Sequence, residues 1–322
     1  MAPVPIRRNE EADTLIPLLH ARTGHVVHLT HNDLDAVGSD AIHRMGFGDV
    51  FTIWSSVGKY PYYLDMIAGV PGNGDLISIS DLGFQRGAEQ ALRRAKKNGW
   101  RLEWRDHHRW QDDEMALVTG MADLLHVDVR TCACGICARD LQPENPVARE
   151  VARLVCDYDL WLNQDPQAAV LGQVLQRKKN REHVRDCLIQ GIFSDELIER
   201  EYRDIREEMN VMMEKSRRHA VIRNGKYRVA FAPLYGYPSE TAAYIREREG
   251  SEIEVIISPG GRFSLRSVPP ISHLIARGFQ GGGHPHAAGG IFPFSFWDRL
   301  AFLLFRRSRY FDHFISVVES SG

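Results

Sequence analysis

"HVVHLTHNDLDAVGSD", residues 25–40, opens with an apolar run that reads as a buried strand and then turns abruptly polar. The first residues past the strand are His31, Asp33 and Asp35, followed by the small residues Ala36, Gly38 and Ser39. In an extended segment, side chains two apart share a face, so this spacing puts one imidazole and two carboxylates in a small volume. Carboxylates that close repel unless a cation or a proton intervenes. Imidazole combined with hard oxygen ligands suits Mn²⁺, Mg²⁺ or Zn²⁺. The plainer alternative is a polar turn in which Asp33 or Asp35 caps the following helix.

Working outward, the first half of the chain alternates. "EEADTLIPLLHA" has helical apolar spacing and precedes the strand "HVVHL"; "VGSDAIHRMGF" is helical again. Three more strands follow, "DVFTIWSS", "DLISIS" ending at Asp81, and "WRLEWR" ending at Asp106. Between them lie the helical "YPYYLDMIAGV" and "GAEQALRRAKKNG", the latter stopped by Gly99. Such alternation implies an α/β fold with a parallel, helix-covered sheet. Ligands bind such sheets beyond the carboxyl ends of the strands, where His31, Asp81 and Asp106 all fall.

From about Val147 to Val221 the pattern is helical, with Ser194 as N-cap of its longest stretch. After that, "IEVIISPGGRFSLRS" reads as a hairpin turning at Pro259-Gly260-Gly261, a glycine-rich "GFQGGGHPHAAGG" follows, and an apolar helix "FWDRLAFLLFRRS" comes near the end. The expected division is residues 1–190, a helical connector over 191–220, and a smaller domain over 221–322.

Length and composition fit this. The 322 residues suit two domains. Forty basic against 42 acidic residues leave a net charge of -2, which gives no global case for tracking a long anionic strand. No apolar run is long enough to span a bilayer and "MAPVPIRRNEEADTL" lacks a signal-peptide core, so a cytoplasmic protein is expected. The odd count of five cysteines argues against a secreted disulfide scaffold. Three of them crowd into "CACGIC", and a knuckle of Cys132, Cys134 and Cys137 could hold zinc with His126, Cys156 or Cys187 as a fourth ligand.

Further clusters carry the chemistry. Asp106, His107 and His108 are consecutive after a strand, and "VCDYDLW" sets Asp157 and Asp159 in apolar surroundings, where a buried carboxylate needs a partner. The ordered set "HNDLDAVGS", "SDLG", "DHH" and "DYDLW", followed by "SLRS" and "GGGHPHAAG", resembles the DHH phosphoesterase family with its DHHA-type C-terminal domain. The resemblance covers nearly the whole chain. It implies a parallel-sheet N-terminal DHH domain, a smaller α/β C-terminal domain, and an active site in the cleft between them. It also implies two Mn²⁺ or Mg²⁺ ions, Mn²⁺ being preferred, used to hydrolyse phosphoesters or phosphoanhydrides.

Carried over by position, the resemblance places His31, Asp33 and Asp81 around one ion, and Asp35, Asp81, His107 and Asp157 around the other. Asp159 is the alternative to Asp157, and His28 an alternative to His31, whose spacing is RecJ-like with the leading aspartate replaced. His108 is expected beside the scissile phosphate, and Asp106 behind a ligating imidazole. In the C-terminal part, Arg266 and Ser267 of "SLRS" with Gly282, Gly283 and His284 would bind phosphate through a guanidinium fork and exposed backbone N–H groups. Phe263, Phe279 and Tyr235 could stack on a base or belong to the core. The reading that follows is a two-metal phosphoesterase acting on short single-stranded oligonucleotides or small nucleotides, with a homodimer left open and no membrane partner. A polyphosphate or pyrophosphate hydrolase, and a catalytically silent nucleotide-binding protein of the same fold, are the alternatives.

Overall fold

In a computed structural model describing residues 8–321, the chain forms two compact units, one up to Tyr202 and one from Arg203. The first unit contains, in order, α1 (Arg8–Ala21), β1 (Val26–Thr30), α2 (Leu34–Phe47), β2 (Val50–Trp54), α3 (Tyr60–Gly69), β3 (Leu76–Ser80), α4 (Ala88–Lys97), β4 (Arg101–Asp106), α5 (Asp112–Thr119) and β5 (Leu124–Val127). Helices α6 (Ala133–Leu141), α7 (Pro146–Asp159), α8 (Pro166–Val174) and α9 (Arg181–Ile189) follow, and α10 (Glu196–Arg218) contains the point of division.

All five strands of the first sheet are parallel, in the order β2-β1-β3-β4-β5. The four strands expected from the sequence are present; β5 is an addition. Strands β1 and β3 are buried at every position, which is why they are mostly apolar, with His28, Thr30, Ser78 and Ser80 buried in hydrogen bonds. Order 2-1-3-4-5 has its switch point between β1 and β3, because the chain leaves those neighbours toward opposite sides. Register sets Thr30, Ser80 and Arg105 side by side, so His31, Asp81 and Asp106 lie in one layer at the strand ends. One core cluster, with Tyr60, Trp100 and Trp104, packs under α3 and α4; a second joins α2 to α6, α7, α8 and α9.

The second unit has β6 (Val221–Asn224), β7 (Arg228–Pro233), α11 (Pro238–Glu249), β8 (Ile253–Ile257), β9 (Arg262–Ser267), α12 (Ser272–Arg277), β10 (Gly282–Gly283), β11 (Ala287–Ile291), α13 (Phe296–Phe305) and α14 (Tyr310–Ser320). Its sheet is mixed, ordered β10-β11-β9-β8-β7-β6, with β7 and β8 parallel across α11. The β8–β9 hairpin turns where Pro259-Gly260-Gly261 predicts it, closed by Gly261 N–H donating to the Ser258 carbonyl. Phe263 and Phe279 are core residues here, packed with Phe292 and Phe314, so neither is available to stack on a base.

Two local expectations change. "TCACGICARD" is the helix α6 with Cys132 as N-cap, and Asp195, one residue past Ser194, caps α10 by accepting from Ile198 N–H.

Candidate metal centre

At the end of β1 the chain does two things at once. Asp33 caps α2, one carboxylate oxygen accepting from Ala36 N–H at 3.2 Å, while its other oxygen lies 2.7 Å from His31 Nδ1. Capping the helix therefore leaves Asp33 one oxygen directed to His31. Asp35 already sits in the first turn of α2, so the alternation of 31, 33 and 35 does not gather three side chains on one face as an extended segment would. It separates them. His31 and Asp33 join Asp81, and Asp35 joins His107 and Asp159, each set with donor atoms within 4.8 Å of one another.

Asp81 links the two sets. Its Oδ2 lies 3.6 Å from His31 Nδ1, and its Oδ1 lies 3.5 Å from His107 Nε2. It follows β3 at the switch point with a φ of 53°, a left-handed turn that aspartate tolerates better than most residues. His107 Nε2 also faces Asp35 Oδ2 at 3.7 Å, and its Nδ1 faces Asp159 Oδ2 at 3.7 Å. Asp35 is held from behind: Ala133 and Cys134, the first residues of α6, donate their N–H groups to its two oxygens at 2.8 and 2.7 Å. A helix N-terminus carries partial positive charge and free donors, so α6 steadies that carboxylate. Nothing in "CACGIC" announces this role, because main-chain donors have no residue signature.

The sequence reading prefers Asp157 to Asp159 as a ligand, and the structure brings Asp159 to His107. Both lie at the end of α7, where residues two apart point to nearly opposite sides. Asp157 turns its oxygens to the N–H groups of Gln164 and Asp165, closing the loop after the helix. Asp159 faces His107. Asp106 is also corrected: fully buried, it accepts from His108 N–H and Trp110 Nε1–H and pairs with His108 Nδ1 at 2.8 Å. It is a positioning residue for His108, with no free oxygen for substrate, and it does not back His107. His28 lies outside the cluster, its ring spent on Asp40 and Ser80 in the core.

The donor set fits divalent metal. Asp81 Oδ2 and Asp159 Oδ2 are buried without a hydrogen-bond partner, a cost that protein interiors rarely carry unanswered. Burial, then repulsion from Asp81 and Asp159, pushes the Asp35 carboxyl well above the ordinary range; burial, then Asp33, does the same to Asp81. Burial also raises Asp159. The hydrogen bond to Asp33, with the Asp81 carboxylate close by, raises the His31 imidazole to about 10. Without a cation, protons must hold this set of like charges together. Carboxylate oxygens with imidazole are donors for Mn²⁺ or Mg²⁺.

The zinc knuckle is not formed. Cys132 and Cys156 are joined as a disulfide, and Cys134 and Cys137 are buried thiols whose ionisation burial opposes; Cys137 is pushed up to about 12. The bond ties the N-terminus of α6, which cradles Asp35, to α7, which carries Asp159.

In the second unit, Gly282, Gly283 and His284 are exposed, as phosphate binding needs. A Cβ on Gly283 would meet the Ala287 carbonyl oxygen at 2.6 Å, and its φ of 142° also requires glycine. Arg266 is half-buried, its guanidinium donating to Ser239 Oγ, Ser264 Oγ and the Leu265 carbonyl. Ser267 is corrected: its buried hydroxyl bonds the Pro269 carbonyl and Ser272 Oγ, so its part is to hold the turn.

Comparison with solved structures identifies the fold. The pGpG-specific phosphodiesterase PggH of Vibrio cholerae superposes with a TM-score of 0.59 at 11% identity, over 92% of this chain and 100% of that one. The chain has a DHH fold. The DHH domain of PF0399, described as a member of a family of ribosomal proteins, gives 0.58 at 14% identity over 98% and 92%. The exonuclease RecJ bound to manganese gives 0.55 at 15% identity over 99% and 95%. The motif resemblance and the DHH fold thus coincide. No protein-family model and no curated protein matches the sequence. Among the described residues, no helix of this DHH fold is long and apolar enough to cross a membrane.

Proposed function

We propose that this chain is a divalent-metal-dependent phosphoesterase that hydrolyses short oligonucleotides or small nucleotides. The observation carrying the reading is Asp81, whose two oxygens face two separate histidine–carboxylate sets while one of them is buried without a partner. His31, Asp33 and Asp81 would hold one ion, and Asp35, Asp81, His107 and Asp159 the other. Such a pair supplies Lewis-acid polarisation of the phosphoryl group and an activated water at neutral pH. The protein's part is to fix the donors. The α6 N-terminus orients Asp35, and Asp106 fixes the His108 ring so that it can give a proton or hydrogen bond to a phosphate oxygen. No side-chain nucleophile is required. We assign phosphate binding to Gly282, Gly283 and His284 in the second unit, with Arg266 behind them.

Nucleotide substrates are supported by the two fold relatives described as a pGpG-specific phosphodiesterase and an exonuclease. The near-neutral charge favours short substrates over a long strand. The test is metal-stripped protein reloaded with Mn²⁺ or Mg²⁺ and offered di- to pentanucleotides, cyclic dinucleotides, adenosine 3′,5′-bisphosphate and polyphosphate. Turnover of a nucleotide substrate that His107→Ala abolishes is the expected result. Turnover of polyphosphate alone would move the substrate class. No turnover of any compound, with His107→Ala indistinguishable from wild type, would refute the enzyme.

A further inference from the structure

A second donor cluster lies in the first unit, made of residues the phosphoesterase reading does not use. His183 and Cys187 are one turn apart on α9, and Asp195 precedes α10. The chain folds back through Gly191, whose φ is 71°, and Ile192 N–H donates to the Cys187 carbonyl. That turn returns Asp195 to the face of α9 carrying His183 and Cys187. His183 Nε2 lies 2.7 Å from Asp195 Oδ2, and Cys187 Sγ lies 3.5 Å from each of those two atoms.

We infer that His183, Cys187 and Asp195 form a zinc site at the α9–α10 corner. Zinc takes thiolate sulfur at about 2.3 Å and imidazole nitrogen or carboxylate oxygen at about 2.0–2.2 Å, nearly tetrahedrally. A tetrahedron on those lengths has S···N and S···O edges of about 3.5 Å and an N···O edge of about 3.3 Å. Both sulfur edges already have that length. Only the His183–Asp195 edge must open, by roughly 0.6 Å, between two partly exposed side chains.

Thiolate with imidazole selects zinc over the harder ions suited to the carboxylate-rich centre. Three protein ligands leave a fourth position, and the side-chain exposures of 36% for His183 and 31% for Asp195 open it to water. Binding forms the Zn–S bond, releases the Cys187 thiol proton to solvent, and moves the imidazole N–H from Nε2 to Nδ1. Without a cation, burial and then the Asp195 hydrogen bond raise the thiol to about 11, and a divalent ion between the two groups inverts that balance. Asp195 Oδ1 still caps α10, so the ion would pin both helices.

The inference does not depend on phosphoesterase activity, and its readout is spectroscopic. The metal-stripped full chain is titrated with Co²⁺ and watched for thiolate-to-cobalt charge-transfer absorption together with intense tetrahedral d–d bands. Wild type, His107→Ala and the Cys134→Ser/Cys137→Ser double variant should all develop the band. Cys187→Ser should lose it, and Asp195→Asn should weaken binding more than about 10-fold. In the His107→Ala background, which weakens the carboxylate-rich centre, Zn²⁺ should raise the melting temperature, and adding Cys187→Ser should take away most of that rise, with His183→Gln as the second variant should Cys187→Ser fold poorly. No charge-transfer band in wild type, or a band that survives Cys187→Ser or His183→Gln, would overturn the site.

Discussion

Replacing Asp157 and Asp159 one at a time by asparagine separates a structural carboxylate from a metal-facing one only two residues away. Asp157 accepts from the N–H groups of Gln164 and Asp165 at 2.9–3.2 Å. Hydrogen bonds to a charged group are worth about 1.5–3 kcal/mol, and asparagine keeps one acceptor oxygen. Asp157→Asn should therefore cost about 2 kcal/mol, or about 4–8 °C in melting temperature for a unit of this size. Its affinity for Mn²⁺ should hold. Asp159 Oδ2 is buried without a hydrogen-bond partner, and burial disfavours its charge. Asp159→Asn should leave melting in EDTA unchanged or higher, because a costly buried charge is removed. Its loss should appear only with metal: a roughly 100-fold weaker Mn²⁺ affinity removes about 2.7 kcal/mol of ligand stabilisation under saturating conditions. The assay is melting of each variant in EDTA and across a Mn²⁺ titration, with turnover measured alongside. Loss of metal response in Asp157→Asn with full response in Asp159→Asn would refute both assignments.

Three other perturbations probe the frame around the centre. A Cβ on Gly38 would sit 2.7 Å from Val155 Cγ2 and 2.8 Å from Cys134 Sγ, so Gly38→Ala should destabilise by about 1–3 kcal/mol, read as a lower urea midpoint at unchanged m. Reducing the Cys132–Cys156 bond, or replacing both cysteines by serine, should cost about 3 kcal/mol for a separation of 24 residues, seen as a dithiothreitol-sensitive melting temperature that the double variant lacks. Hydrogen bonds from Lys179 and then Arg177 lower the Glu201 carboxyl to about 2 from an ordinary value of 4.5. The folded value is the lower one, so this stability is complete above pH 4.5 and is lost as pH falls toward 2. Glu201→Gln should be less stable at pH 7 by about 1 kcal/mol and show a flatter acid limb across that window; a wild-type acid limb in the variant would exclude the network.

Much of the first unit is legible in the chain because its physics is local. Buried parallel strands are mostly apolar, as HVVHL and LISIS are apart from the histidines and serines, and amphipathic α4 stops just before Gly99 as its pattern requires. The candidate site is equally plain, since His31, Asp81 and Asp106 each lie at a strand end and parallel register aligns strand ends. The choice between Asp157 and Asp159 is not local. It depends on α7 continuing through both residues, which sends them to opposite sides, and on where the loop after it presents its N–H groups. Ser267 misleads for a similar reason, because a serine beside an arginine looks like a pair of phosphate ligands until β9 alternation buries its hydroxyl.

By itself, then, the sequence determined that this is an α/β chain with an alternating parallel half, that its histidines and aspartates gather at strand ends, and that its motifs resemble those of the DHH family. Tertiary structure decided which carboxylates meet. It split His31 and Asp33 from Asp35, made Asp81 the link between the two sets, and set the first N–H groups of α6 against Asp35. It joined Cys132 to Cys156 where the cysteine spacing also allowed a zinc knuckle, and assembled His183, Cys187 and Asp195 where no motif marks them. The reason is physical. Periodicity reports which side of an element is buried, whereas coordination and hydrogen bonding depend on positions of atoms contributed by segments far apart in the chain, as Asp35 and Cys134 are at a separation of 99 residues.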